Sequence, residues 1–121
     1  MSAIDIVWIV VDQWRADYFG HAGAGFARTP NIDALAGRAT VYRNHYTAAS
    51  PCGPSRASML TGLYAMLHRS TANGVPLAAD LPTFPTEARR AGYRPRLFGY
   101  TDTTPDPRGL AADDPRLTTY E

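Results

Sequence analysis

Ser50-Pro51-Cys52-Gly53-Pro54-Ser55-Arg56-Ala57-Ser58-Met59-Leu60-Thr61-Gly62 is the stretch on which the reading of this 121-residue chain turns. A lone cysteine is most often a small buried hydrophobe. Its neighbours here change that reading. Cys-x-Pro-Ser-Arg fixes four positions, and at average residue usage such a string arises by chance in on the order of one chain in thousands. Met59, Leu60 and Leu63 around a Gly62 stop predict a helix that begins around Ser55 and ends near Gly62. Cys52 then lies just before a helix N-terminus, where free N–H groups face an anion. Arg56 follows one turn on, with a guanidinium that forks tetrahedral anions through two parallel hydrogen bonds.

Working outward, Ile4-Asp5-Ile6-Val7-Trp8-Ile9-Val10-Val11 is nearly continuous in β-branched and apolar character. That pattern predicts a central parallel strand buried on both faces. Asp12-Gln13 closes it, and the carboxyl ends of such strands are where open α/β sheets bind ligands. Thr29-Pro30-Asn31 predicts a helix start, with Thr29 as N-cap and Pro30 first, and Ile32, Leu35, Ala36 and Ala39 follow at helical spacing. Residues 40–46 half alternate and suggest a short strand. A third helix is expected from about Thr86 to Ala91 with Gly92 as its stop, then a strand over residues 96–100. Strands alternating with helices indicate an α/β class, with a mostly parallel central sheet flanked by helices. The whole of 1–121 is expected to form one incomplete domain, with 102–121 as loop.

An apolar content of 45% with 19% charged residues places the chain among soluble globular proteins. Net charge is +1 and the arginines are scattered, so no face tracks a nucleic-acid backbone. The longest apolar run, residues 6–11, is too short for a bilayer span. Asp5 interrupts the start and no basic n-region precedes it, so no leader is expected and the default compartment is the cytoplasm. One cysteine excludes an internal disulfide framework.

The cysteine motif, the strand ending in Asp12 and Thr29-Pro30-Asn31-Ile32-Asp33-Ala34-Leu35 together resemble the sulfatase family of the alkaline phosphatase superfamily. The resemblance runs over nearly the whole chain, as the N-terminal part of an alkaline-phosphatase-like sandwich. It implies that Cys52 is oxidised to formylglycine by the formylglycine-generating enzyme, which reads Cys-x-Pro-x-Arg. It also implies hydrolysis of sulfate, phosphonate or phosphate esters. In the mechanism the resemblance implies, the hydrated aldehyde at position 52 would attack the ester through one hydroxyl, whose pKa a divalent metal would lower, and the second hydroxyl would then expel the oxyanion. Arg56 holds the diol and neutralises developing charge.

Asp12-Gln13 stands where most sulfatases have two adjacent carboxylates, and Gly99-Tyr100-Thr101-Asp102 where most have Gly-Lys-Trp-His. With Pro51 and the segment Thr103-Thr104-Pro105-Asp106-Pro107-Arg108, these features resemble the phosphonate monoester hydrolase branch. Carried over, the resemblance makes Asp12 and converted Cys52 metal ligands, and Gln13 a ligand or a group directly behind one. It makes Asn73 and Tyr100 contacts to the substrate's non-bridging oxygens. The branch has threonine where this chain has Asp102. Neutral groups in place of a lysine suit a diester-like monoanion, which needs less positive charge than a dianion. Gln13 and Tyr100, as features of that branch, favour phosphorus over sulfur. Oxygen ligands favour Ca²⁺, Mg²⁺ or Mn²⁺, and the branch points to Mn²⁺. His21 and His45 read as structural, His68 has no assigned role, and Tyr42, Tyr46 and Tyr64 read as packing.

Other chemistries fit less well. A tyrosine-phosphatase loop needs arginine six residues after the cysteine, and that position is Ser58. A redox-sensing thiol needs Cys52 to stay a thiol. A non-catalytic fragment or pseudoenzyme is the main alternative, because the family's Asp-His metal ligands and its leaving-group Lys and His lie further along than residue 121. The isolated segment is therefore expected to be inactive. A homo-oligomer remains open.

Overall fold

Thr29-Pro30 starts a helix as predicted, and the first helix, α1, runs Pro30–Ala36. Gly37 follows it, so Ala39 lies outside and the predicted stripe is one contact shorter. The computed structural model describes residues 4–104 and 108–114. The chain divides into two compact units, Met1–His45 and Tyr46–Glu121.

In the first unit, α1 packs against the second of two 3-10 helices, Ala16–Tyr18 and Gly20–Ala22. The Thr29 hydroxyl does not cap the helix amides. It accepts from the Gly20 amide at 2.8 Å and donates to Asp33 Oδ1 at 3.0 Å. The same carboxylate oxygen accepts from the His21 amide at 2.8 Å and lies 3.2 Å from His21 Nδ1. Asp33 thus latches the helix onto the turn before it. A Cβ at position 20 would come within 2.3 Å of Asp33 Oδ2, so any residue larger than glycine there would have to displace that carboxylate. The His21 amide, aided by the Thr29 hydroxyl and the His21 ring, holds the Asp33 carboxyl below the ordinary carboxylate range against the opposing cost of burial. A lowered carboxyl pKa stabilises the folded form above the unfolded value, and that contribution disappears as pH falls through the folded one. Acid titration followed at the His21 amide should therefore show the latch releasing below about pH 4. In Asp33→Asn that transition should be absent, while an unchanged acid transition would exclude the latch as its cause.

In the second unit three helices follow: α2 at Cys52–Thr61, α3 at Ala65–His68 and α4 at Phe84–Arg90. The hub is α2, which buries Gly53, Pro54, Ala57 and Ser58 and packs against both α3 and α4. It begins at Cys52, three residues before the predicted start at Ser55. Proline is tolerated in a first turn, where its missing N–H has no intrahelical partner to lose. The Ser55 amide closes that turn on the Pro51 carbonyl at 3.1 Å. Gly62 ends the helix in the left-handed region, at φ 71. The sequence pattern gave no sign of α3, a single turn. In α4, Thr86 is not the first residue but the third, completing a capping box with Thr83. Gly92 does terminate α4. At φ 88 its amide bonds the Arg89 carbonyl, and that of Tyr93 reaches Ala88, both at 2.9 Å, the Schellman pattern.

The strands predicted over 4–11, 40–46 and 96–100 do not form among the described residues. A strand is completed by a ladder partner about 4.8 Å away, and periodicity reports the face a segment can bury rather than its partner. The side chains of residues 4–11 are exposed, with Val7 at 81%. Residues 102–104 and 108–114 carry only bends and turns. Thr103 is nonetheless fully buried and its carbonyl accepts from the Leu77 amide at 2.9 Å. The Pro105-Asp106-Pro107 part of the branch segment lies outside the described residues. No helix among the described residues is long and apolar enough to cross a membrane.

Candidate active site

Position 52 is the first residue of α2, half-buried, and carries a free thiol. Helix starts ordinarily leave several amides without partners. Here most are committed. Gly53 donates to Asn73 Oδ1 at 2.8 Å, Pro54 has no N–H, and Ser55 is bonded to Pro51. The expectation of a helix end open to an anion is therefore corrected. Side chains, more than free amides, are what this helix start presents.

Those side chains are brought together from distant parts of the sequence. Asn73 comes from a tight turn in which the Val75 amide reaches the Ala72 carbonyl at 3.2 Å and Gly74, at φ 79, supplies the positive dihedral. Because the Gly53 amide is a donor, the Asn73 atom facing it must be the oxygen. The amide nitrogen is thereby aimed at residue 52, with Nδ2 3.2 Å from Cys52 Sγ. Arg56 stands one helical turn from Cys52 and donates to the Tyr100 carbonyl at 3.0 Å. Its guanidinium lies 4.4 Å from the Tyr100 ring centroid, a cation–π contact. Cys52, Arg56, Asn73 and Tyr100 thus share one unit, joined as two pairs.

Gly53 is a site residue that the sequence reading did not single out. A Cβ there would meet Asn73 Oδ1 at 3.0 Å and the Asp102 carbonyl at 3.3 Å. Its only signal in the sequence is its place as the variable residue of Cys-x-Pro. Asp102 itself sits in the left-handed region, at φ 58. Gly53→Ala should push Asn73 off residue 52 and reduce turnover by about tenfold or more, since a displaced buried hydrogen bond costs 1–3 kcal/mol. Steady-state kinetics on the substituted protein check this, and an unaltered rate would show that the close approach is not needed.

Asp12 and Gln13 lie in the first unit. They line an open hollow of ≈ 430 Å³ with Val11, Trp14, Arg15 and Tyr18. Gln13 adopts a left-handed conformation at φ 54, uncommon for a residue with a side chain. Arg15 is forked onto Asp17 at 2.6 and 2.9 Å, and so is already occupied by a carboxylate. A carboxylate and an amide oxygen side by side suit a hard divalent cation in kind. In number they fall short, and among the described residues no three His, Cys, Asp or Glu side chains gather as a ligand set.

The sulfatase family pattern matches residues 4–114, a span that contains Asp12, Gln13 and the cysteine motif. The chain belongs to the sulfatase family. PehA of Trinickia caryophylli, a multifunctional alkaline phosphatase superfamily protein, is 48% identical to it over 98% of this chain and 24% of the relative. Among solved structures, phosphonate monoester hydrolase SpPMH from Silicibacter pomeroyi matches with a TM-score of 0.79 and 52% identity, covering 97% of this chain and 23% of that one. The phosphonate monoester hydrolase of Agrobacterium radiobacter matches at 0.74 and 50%, covering 91% and 22%. These likenesses are consistent with the α/β class read from the sequence. This sulfatase-family chain spans less than a quarter of the length of those proteins.

Proposed function

We propose that this chain supplies the nucleophile and part of the anion-binding apparatus of a metal-dependent hydrolase of phosphonate monoesters, phosphodiesters or sulfate esters. The observation that carries the reading is the assembly around residue 52. A motif of the formylglycine type starts α2, and an asparagine fixed by the Gly53 amide presents its N–H donors there. Oxidation of Cys52 to formylglycine by the formylglycine-generating enzyme would replace the thiol with an aldehyde that hydrates, and a divalent cation, when bound, would lower the pKa of one of its hydroxyls.

The chain's own residues account for the rest. Asn73 donates to an oxygen at or beside residue 52. Arg56 supplies fixed positive charge one turn away, with its direction set by the Tyr100 carbonyl and ring. Such donors act without reorganising when charge develops. Asp12 and Gln13 are the residues that would hold the cation, Mn²⁺ or Ca²⁺, completed by ligands from elsewhere in the protein. Residues 4–11 and 96–100 serve in this reading as strands of a mostly parallel sheet, each completed by neighbours from the rest of the protein. The small anionic ester is preferred as a monoanion, because Tyr100 is neutral where most sulfatases have lysine.

The test is a paired assay on the full protein produced together with the maturation enzyme, using an aryl phosphonate monoester and an aryl sulfate. Turnover of the phosphonate should exceed that of the sulfate, and chelation should abolish both. Fully converted, metal-loaded protein that hydrolyses neither would overturn the proposal. It would favour the alternative of a non-catalytic member of the family.

A further inference from the structure

The sequence left His68 without a role, and the structure buries it to 3% exposure at the end of α3. Both ring nitrogens are engaged. Nδ1 accepts from the Ser70 amide at 3.1 Å, so the ring proton of the neutral form resides on Nε2. Nε2 lies 2.9 Å from Ser58 Oγ, on the buried face of α2, and donates to it. Ser70, fully buried, continues the connection by donating from its hydroxyl to the Val75 carbonyl at 2.7 Å. Val75 closes the turn whose corner is Asn73. A run of hydrogen bonds, buried at Ser58, His68 and Ser70 and partly exposed at Val75, therefore joins the body of α2 to the loop that reaches back over the first residue of the same helix.

We propose that His68 is a positioning residue for residue 52, acting through Asn73. It sets the height of the 69–75 loop on α2, so that the Asn73 carboxamide meets the Gly53 amide and the side chain at 52 together. The placement is demanding, because a methyl group on Gly53 would meet the Asn73 oxygen at 3.0 Å and its α-carbon at 3.3 Å, and the loop would have to give way. Loss of the Ser58–His68 bond frees the loop without removing any group that touches residue 52. The proposal rests on the hydrolase reading only for its consequence in catalysis, and the contact itself can be measured without turnover.

The decisive measurement is residue-resolved hydrogen exchange in the full protein with Cys52 unconverted. His68→Leu should speed exchange at the Gly53 amide by about tenfold or more, the scale of one lost buried hydrogen bond. Amides in the middle of α2, such as Met59 and Leu60, should keep their protection. Asn73→Ala should give the same increase, and the double variant no further one, since the two act on one contact. His68→Gln, which keeps an N–H toward Ser58, should restore part of the protection. Should His68→Leu fail to fold, Ser58→Ala removes the acceptor at the other end and is judged by the same readout. An unchanged Gly53 amide, a uniform loss along α2, or additive effects in the double variant would each overturn the proposal. Exchange as expected in a protein without hydrolytic activity would instead count against the hydrolase reading alone.

Discussion

Cys52→Ala is expected to lower kcat by a factor on the order of 10³ or more, the scale on which enzymes respond to loss of their nucleophile. Stability should barely change. The Cys52 side chain is half exposed and its Sγ contact, 3.2 Å from Asn73 Nδ2, is a weak one. Alanine is the strongest helix former, so the start of α2 tolerates it. Kinetics and thermal unfolding measured on the same preparation separate the two effects. A variant with its full rate would remove residue 52 from the chemistry.

Arg56→Lys is expected to be nearly as damaging as Arg56→Ala, with kcat/KM falling by a factor of about 10² to 10³ in both. Lysine keeps the charge but not the planar fork. In the structure the guanidinium donates sideways to the Tyr100 carbonyl while its face rests on the Tyr100 ring. An ammonium is a compact point charge and cannot occupy that seat while directing further donors at an anion. Kinetics on the two variants decide the matter. A lysine variant with near-normal kcat/KM would mean that position 56 contributes charge alone.

The parts of the site that could be read in the sequence were those where chemistry dictates residue type. Cys52 and Arg56 were evident because a short motif fixes both, and Gly92 because a helix end needs a residue that accepts positive φ. Asn73 and Tyr100 came from resemblance, and the structure adds a physical reason for each: one orients on a backbone donor, the other seats a guanidinium. Gly53 was not legible, since nothing in a one-dimensional string reveals that Asn73 and Asp102 close over it. The His68 network was hidden for the same reason. Its partners Ser58, Ser70 and Val75 are unremarkable residues until the chain folds back.

Helix boundaries show a second limit. By sequence pattern α2 starts around Ser55, yet the helix already begins at Cys52, because Pro51 as its cap and Pro54 in its first turn are both tolerated and no local signal ranks the alternatives. From sequence α4 is expected to start at about Thr86. Thr83, three residues earlier, is the true cap. The predicted strands illustrate a third. The apolar run over residues 4–11 records a demand for burial on both faces, and meeting it depends on neighbours that its own residues cannot specify.

The central claim, that side chain 52 is the source of an aldehyde nucleophile, is reached most directly by mass spectrometry of the peptide spanning Ser50 to Gly62. In protein made together with the formylglycine-generating enzyme, that peptide should carry CHO in place of CH₂SH and should react with a hydrazide probe. If it instead remains a fully alkylatable thiol under those conditions, the account of this site is wrong.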